Sequence, residues 1–380
     1  MTEFFSPTIG GSISVYENIY RQYPPNSISV LTQKLKGVPS CENLNGIEVL
    51  RIAFPLYFYS KLQMLLRYLW GMWHAFRLIR KYKLEEIHCD QVLPAGMMAW
   101  LFTRIFKIPY FVYAHGEEIA IGSRFPFRRR FMRRIFSDAT GVFANSQFTG
   151  NLVAQLGVAA QKIQVIYWGV DRATLTYRND LARLKKKYGV SDKKVLLTVS
   201  RLIRRKGHYF ALKALRELIK EDPNLHYLIV GGGEEEIYLK QLVKDFYLEK
   251  QVTFLGMVSE AALHEIYFLS DLFLMPNIQL ENGEVEGFGL VFLEAGAMKK
   301  PAIGGESGGT SDAICHEKTG FIVNPYDWHQ MKNKIAILLQ DPKLSQKMGE
   351  QALIRIRDFF VWDKVFERIE LFRQKQTGVA

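Results

Sequence analysis

The sequence predicts an α/β fold built from two doubly wound, parallel-sheet domains, on three observations. Short apolar runs alternate with amphipathic helical patterns from one end of the chain to the other, the signature of βαβ architecture. The chain has 380 residues, which is long for one core and fits two domains of ordinary size. Nearly half of it (48%) is apolar, enough to bury two sizeable cores. In the first half the strands fall at 27–31, 86–89, 110–114, 141–144 and 162–166. The segment 166–171 then yields to a polar, helix-prone stretch at 181–188, so the junction is set there, with domains 1–168 and 169–361. The second half places strands at 195–199, 227–230, 252–255, 272–275 and 301–303. No solenoid-period repeat or low-complexity segment interrupts the pattern. In such folds ligands sit at the carboxyl ends of the strands, and here the ligand is expected in a cleft that the two domains face across.

Composition narrows the function classes. Cys41, Cys89 and Cys315 are widely spaced and form no CxxC, which argues against a disulfide framework and a zinc site and for a reducing cytosol. The opening residues show neither the basic start nor the apolar core of a signal peptide. The longest apolar run, 92–102, is too short to span a bilayer and contains Pro94 and Gly96. The net charge of +12 is unevenly held: residues 1–168 carry 19 Lys and Arg against 10 Asp and Glu. No nucleic-acid module signature is present, so nucleic acid is excluded as a partner and an anionic membrane surface is preferred.

The chemistry concentrates in the second half. Glu286 and Glu294 stand eight apart, with Gly287 and Gly289 bracketing Phe288 just before an apolar helical pattern that begins at Leu290. A helix start bared by small residues offers unsatisfied N–H groups and a positive dipole end, suited to a phosphate or a sugar oxygen. Glu294 lies roughly 7 Å along the axis from that start, about the reach from a diphosphate to the ribose of one nucleotide. Arg201 and Lys206 follow the strand 195–199, where an Arg fork and a Lys point charge can converge on a diphosphate leaving group; a solvated basic turn is the bland alternative. Arg204 and Arg205 are expected at the surface. The strand 227–230 runs into Gly231-Gly232-Gly233, but Glu236 stands where a nicotinamide fingerprint needs its third glycine, which argues against an oxidoreductase. Gly10 and Gly11 permit close backbone approach to a phosphate or sugar, or form a plain turn. His115 follows the strand 110–114 and is either structural or turned to the ligand. No Asp-x-Asp occurs anywhere, so the usual carboxylate pair for a metal–nucleotide site is absent and no metal ligands are assigned.

These pieces, in this order, resemble the retaining glycosyltransferases of family 4. They are Ser200-Arg201-Leu202 with Lys206-Gly207, the Gly231 run, Glu286 through Glu294, and Pro301-Ala302-Ile303-Gly304 with Ser307-Gly308-Gly309. In the first half the matching pieces are Phe5 through Gly11, His115-Gly116-Glu117-Glu118, Ala144-Asn145-Ser146 and Gly169-Val170-Asp171. The resemblance covers nearly the whole chain and implies the GT-B fold, with the first domain on the acceptor side, the second binding the nucleotide sugar, and a C-terminal helix at 362–380 packing back on the first. It implies transfer of a hexose, mannose favoured, from a nucleoside diphosphate sugar (GDP-mannose or a UDP-sugar) to a hydroxyl of a lipid-linked or polysaccharide acceptor. No cofactor or metal is expected. Arg201, Lys206, Glu286 and His115 are then the catalytic set, and Gly10, Gly11, Gly231, Phe288, Gly289, Leu290 and Glu294 bind the donor. A sugar-nucleotide epimerase of the same fold and a weakly active nucleotide-sugar-binding protein are the alternatives. In the family a full strand precedes the first glycine loop; here only 2–5 is available, so that strand is short or the chain's start lies upstream.

One further stretch bears on partners. Arg124, Arg128, Arg129, Arg130, Arg133 and Arg134 crowd eleven residues, interleaved with Phe125, Phe127, Phe131 and Phe136. Such a helix suits an enzyme bound peripherally on the cytoplasmic face of an anionic membrane, or else packs its aromatics inward beneath solvated arginines. Tyr57, Phe58, Tyr59, Tyr68, Trp70 and Trp73, mixed with Lys61 and Arg67, form a second candidate.

Overall fold

The structure is a computed structural model, described for residues 1–2, 5–7, 11–52 and 61–378, with the side chains of 11–14 and 61–67 outside the description. The chain divides into two compact units, Met1–Tyr167 with Trp362–Ala380, and Trp168–Val361.

In the first unit, β1 (Ile28–Gln33), β2 (Cys41–Leu44) and β3 (Ile47–Ile52) form one sheet in the order β1-β3-β2. A second sheet runs β4 (Ile87–Cys89), β5 (Tyr110–Ala114), β6 (Gly141–Ala144) and β7 (Ile163–Val165), all parallel. Every residue of β5 and β6 is buried, which is why both read as unbroken apolar runs rather than alternating ones. The amino terminus lies between the two sheets: Thr2 N–H donates to Leu31 O (3.1 Å), and Asp90 N–H donates to Met1 O (3.0 Å). Of the expected first strand, residues 3 and 4 lie outside the described residues.

The parallel pattern expected for this half is broken by β2, which runs antiparallel to β3. The two form a hairpin around Asn45-Gly46, both at positive φ (54° and 87°), as a tight two-residue turn requires. The helix Trp362–Thr377 belongs to this unit. Its Phe372 ring packs on Phe143 (5.5 Å), Arg373 bridges Glu86 (3.0 Å) and Glu370 (2.9 Å), and Tyr23 donates to Glu370 (2.5 Å).

The second unit holds one six-stranded parallel sheet of β8 (Lys194–Val199), β9 (Leu225–Val230), β10 (Val252–Gly256), β11 (Leu272–Met275), β12 (Ala302–Gly305) and β13 (Gly320–Val323). The order is β10-β9-β8-β11-β12-β13, so the winding reverses between β8 and β11. This is the 3-2-1-4-5-6 order of dinucleotide-type folds, and its crevice opens at that reversal. Strand β13 and the β2–β3 hairpin were not anticipated from sequence. Trp168 falls in the second unit, one residue earlier than the expected junction.

Candidate functional site

Three loops meet at the carboxyl ends of β8, β11 and β12. The loop after β8 begins at Ser200 and ends in a 3-10 turn, Arg204–Lys206, which feeds the helix His208–Leu218. The backbone N–H of Ile278, just past β11, donates to Arg205 O (2.8 Å). Asn277, fully buried, donates through its side-chain amide to Thr310 Oγ1 (2.9 Å) and Ser307 O (3.3 Å), while its Oδ1 accepts from Gly305 N–H (3.3 Å). The N–H of Gly309 donates to Glu286 O (3.0 Å), fixing the backbone that carries this carboxylate. Gly308 sits at φ +58°, and a Cβ there would stand 1.9 Å from Glu286 O, so only glycine lets the two loops touch.

The side chains at this junction form a charge cluster. Lys206 Nζ and Arg205 Nη1 (3.2 Å) both donate to Glu286 Oε2, and Arg205 Nη1 also points to Val285 O (3.4 Å). Arg205 is 5% exposed and Lys206 9%. Arg205 was expected at the surface, and the structure corrects this: the 3-10 turn sends adjacent arginines opposite ways, Arg204 outward and Arg205 inward onto Glu286. Burial works against the charge on Glu286, but Lys206, Arg205 and Arg201 outweigh it and hold the carboxyl below its usual range. Arg201 is itself exposed and acts on Glu286 through its charge. His208 is buried behind the cluster, bonded through Nε2 to Ser200 Oγ (2.9 Å); burial lowers its pKa to about 4, so the imidazole is neutral.

The helix Leu290–Ala297 starts at the end of the same loop, capped by Gly289 at φ +90°. Its first N–H groups have no partner within the helix, as at any helix start. Phe288 is fully buried, its ring near Trp168 (6.4 Å) and Phe360 (6.2 Å), so whatever it offers a ligand comes from its backbone. Glu294, four residues into the helix and about 6 Å along its axis, accepts a hydrogen bond from the buried hydroxyl of Tyr267 (2.6 Å). Burial raises the Glu294 pKa, and the Tyr267 bond works against that rise. Gly231 is held by packing: its N–H donates to Gly256 O (2.8 Å), and at φ +123° a Cβ would meet Ser200 O at 1.9 Å. It brings the β9 loop against the β8 loop.

The structure thus brings Arg201, Lys206, Glu286, Gly289, Leu290 and Glu294 to one end of one sheet. Arg205, Tyr267 and Asn277 belong to the same place and were not assigned to it from the sequence, and Gly308, known there only as part of a matching motif, belongs to it too. Only Gly308 carried a local signal, the Ser-Gly-Gly run. In the first unit, His115 Nε2 lies 2.6 Å from Asp90 O and 2.8 Å from the Tyr16 hydroxyl. A carbonyl only accepts, so Nε2 carries the proton in that bond. Gly11 opens the helix Gly11–Tyr20, and Gly10 lies outside the described residues. A cavity of about 370 Å³ opens at the ends of β1, β3 and β4, with Leu31, Ile52, Gly71, Asp90, Leu93 and Met98 among its walls.

The arginine-rich segment forms the helix Pro126–Asp138, which buries Met132, Ile135 and Phe136 and exposes all five of its arginines. Phe125 (54%) and Phe127 (82%) are exposed beside them, with Arg128 over the Phe125 ring. In the second aromatic stretch, Trp70 and Trp73 stack on each other (5.3 Å) and are exposed; Tyr57, Phe58 and Tyr59 lie outside the described residues. No described helix is long and apolar enough to cross a membrane.

Comparison with known proteins agrees with this geometry. Residues 181–355 match the family model described as glycosyl transferases group 1, and residues 13–174 match that of glycosyltransferase family 4. A GDP-mannose-dependent alpha-(1-6)-phosphatidylinositol monomannoside mannosyltransferase from Mycolicibacterium smegmatis is 30% identical over 72% of each chain. An N-acetyl-alpha-D-glucosaminyl L-malate synthase from Bacillus anthracis is 29% identical over 77% of this chain and 74% of its own. Among solved structures, Anabaena HepE in complex with UDP and glucose superposes with a TM-score of 0.81 at 21% identity, covering 99% of this chain and 100% of that one. The chain therefore belongs to glycosyltransferase family 4 and has the GT-B fold.

Proposed function

We propose that this glycosyltransferase moves a hexose, mannose by preference, from a nucleoside diphosphate sugar to a hydroxyl of a lipid-linked or polysaccharide acceptor, with retention of configuration and without a metal or cofactor. The observation that carries the reading is the cluster of Arg201, Arg205 and Lys206 around Glu286, at the strand reversal and beside a helix start, with Glu294 one turn further on. Arg201 and Lys206 take the diphosphate and stabilise the negative charge that grows on it as the sugar leaves. Glu286 and the amides around Gly289 and Leu290 hold the sugar, and Glu294 the ribose. The departing diphosphate oxygen takes the acceptor proton on the face it leaves, which gives retention without a separate protein base. These fixed cations do what a divalent ion does elsewhere, in keeping with a sequence that lacks Asp-x-Asp. In this reading the cavity beside Asp90 takes part of the acceptor.

The mannose preference is supported by the name of the mycobacterial relative, which also supports a lipid acceptor. The exposed Arg and Phe side chains of 124–134 support peripheral attachment to an anionic membrane from the cytoplasmic side. The test is to incubate the purified protein with GDP-mannose and a panel of UDP-sugars, with and without membrane lipid extract, and to read the anomeric configuration of any product by NMR. Acceptor-dependent transfer with retention is expected. Interconversion of the donor without acceptor would make the protein an epimerase, and binding without turnover would make it a binding protein.

A further inference from the structure

The two cations on Glu286 are not equivalent. Both donate to the same oxygen, Oε2, and no hydrogen bond from the described residues reaches Oε1. Lys206 is a flexible point charge, the kind of group that a diphosphate draws to itself. Arg205 is fixed on several sides. Its backbone carbonyl accepts from Ile278 N–H (2.8 Å), and its guanidinium reaches both Glu286 and Val285 O (3.4 Å), on the loop that carries the carboxylate. Its side chain is buried, and a guanidinium keeps its proton at any working pH.

We propose that Arg205 is the positioning residue of Glu286, and that donor binding is an ion-pair exchange in which Lys206 leaves Glu286 for the diphosphate while Arg205 keeps the carboxylate ionised and in place. The inference rests on the reading of this site as one for a nucleoside diphosphate sugar. With Lys206 gone and no second cation, a buried carboxylate would take up a proton and lose its grip on sugar hydroxyls. Arg205 prevents this and leaves Oε1 for the sugar. Among the described residues, the charged groups that act most strongly on Glu286 are Lys206, Arg205 and Arg201, all on the segment after β8. The segment 307–309, packed against the same loop, is Ser-Gly-Gly and brings no ionisable side chain.

The experiment compares Arg205→Gln, which removes the charge, with Arg205→Lys, which keeps it. The readouts are kcat and KM for donor hydrolysis across pH, calorimetric affinity for GDP and UDP, and thermal unfolding. Arg205→Gln is expected to lower kcat by roughly 10- to 100-fold, the scale of one charge-assisted hydrogen bond. It should also move the acid limb of the pH profile upward while GDP and UDP affinity stays within about twofold of wild type. Arg205→Lys should restore kcat to within about fivefold. Loss of GDP or UDP affinity in step with kcat would overturn the proposal by making Arg205 a diphosphate ligand. An unchanged kcat and acid limb, or a Lys variant no better than the Gln variant at equal thermal stability, would overturn it too. A wild-type protein that binds neither GDP nor UDP would remove the nucleotide-sugar reading itself, a result that needs no variant.

Discussion

Replacing Glu294 by Ala separates nucleotide binding from fold stability, because this carboxylate has one hydrogen-bond partner among the described residues. That partner is the Tyr267 hydroxyl, buried and 2.6 Å away. In the variant it loses its acceptor, and an unsatisfied buried hydroxyl costs about 1–3 kcal/mol. Removing a carboxylate whose burial is itself unfavourable offsets part of that cost. For a unit of this size each kcal/mol corresponds to about 2–4 °C, so a fall in Tm of a few degrees is expected, with the unit still folded. The loss in nucleotide binding should be larger. A hydrogen bond from a ribose hydroxyl to a carboxylate contributes about 1.5–3 kcal/mol, so losing even one weakens binding by roughly 10- to 150-fold. Glu294→Gln keeps an acceptor for Tyr267 and should recover most of the Tm but only part of the affinity. Calorimetry with GDP and UDP against both variants decides the matter. If Glu294→Ala binds both nucleotides as wild type does, Glu294 does not touch the ribose.

Arg201→Ala and Lys206→Ala should each lower turnover by roughly 10²–10³, the scale for one preorganised charge at a leaving group, and EDTA should leave wild-type activity unchanged; magnesium-restored activity after chelation would contradict the metal-free transfer. Gly308→Ala should lower turnover at least about tenfold, because left-handed backbone costs a residue with Cβ about 1–2 kcal/mol and the new methyl meets Glu286 O; normal kinetics would show that the loop accommodates it. His208, with a folded pKa of about 4 against 6.5 when exposed, binds its proton more readily in the unfolded chain, so its contribution to stability is full above about pH 6.5 and is lost as pH falls towards 4. The difference is about 3 kcal/mol; melting curves of wild type and His208→Gln between pH 7 and 4 should converge, and parallel curves would count against it. Finally, the protein should sediment with vesicles containing acidic lipid at low salt and release at high salt, and replacing Arg128, Arg129, Arg133 and Arg134 by Ser should abolish this while sparing donor hydrolysis. Failure of the wild type to sediment would make the helix a solvated face.

The sequence revealed the fold where burial is two-sided. Strands β5 and β6 are unbroken apolar runs, and β9 is broken only by His226, because every residue of these strands is buried, and such runs stand out. The β2–β3 hairpin had its signal in Asn45-Gly46, but Cys41–Leu44 alternates weakly at an exposed edge and does not read as a strand. The site divides in the same way. Glu286, Glu294, Arg201 and Lys206 were legible because glycines and strand ends mark their positions. Arg205 was not, because nothing local distinguishes it from Arg204; a single tight turn decides which of the two is buried. Tyr267 lies 27 residues from its partner, and only the tertiary fold brings them together. Phe288 was legible as part of the loop but not as core, since its ring is covered by Trp168 and Phe360 from distant segments.

The docking of Trp362–Thr377 onto the first unit has a consequence for how the protein is made. The second unit is one continuous run of chain, whereas the first is closed only by residues synthesised after it. At roughly 5–20 residues per second, some 10–40 s of translation separate Tyr167 from Trp362. Through that interval Phe143, Tyr23 and Glu86 lack the helix that covers them, and they are open to chaperones or to misassociation. Dissection follows the same logic. A fragment ending near residue 167 would keep that face bare, while 168–361 can be excised at a single pair of cuts. A first unit prepared for acceptor studies would need 362–377 joined back to it by a linker or supplied as a separate peptide.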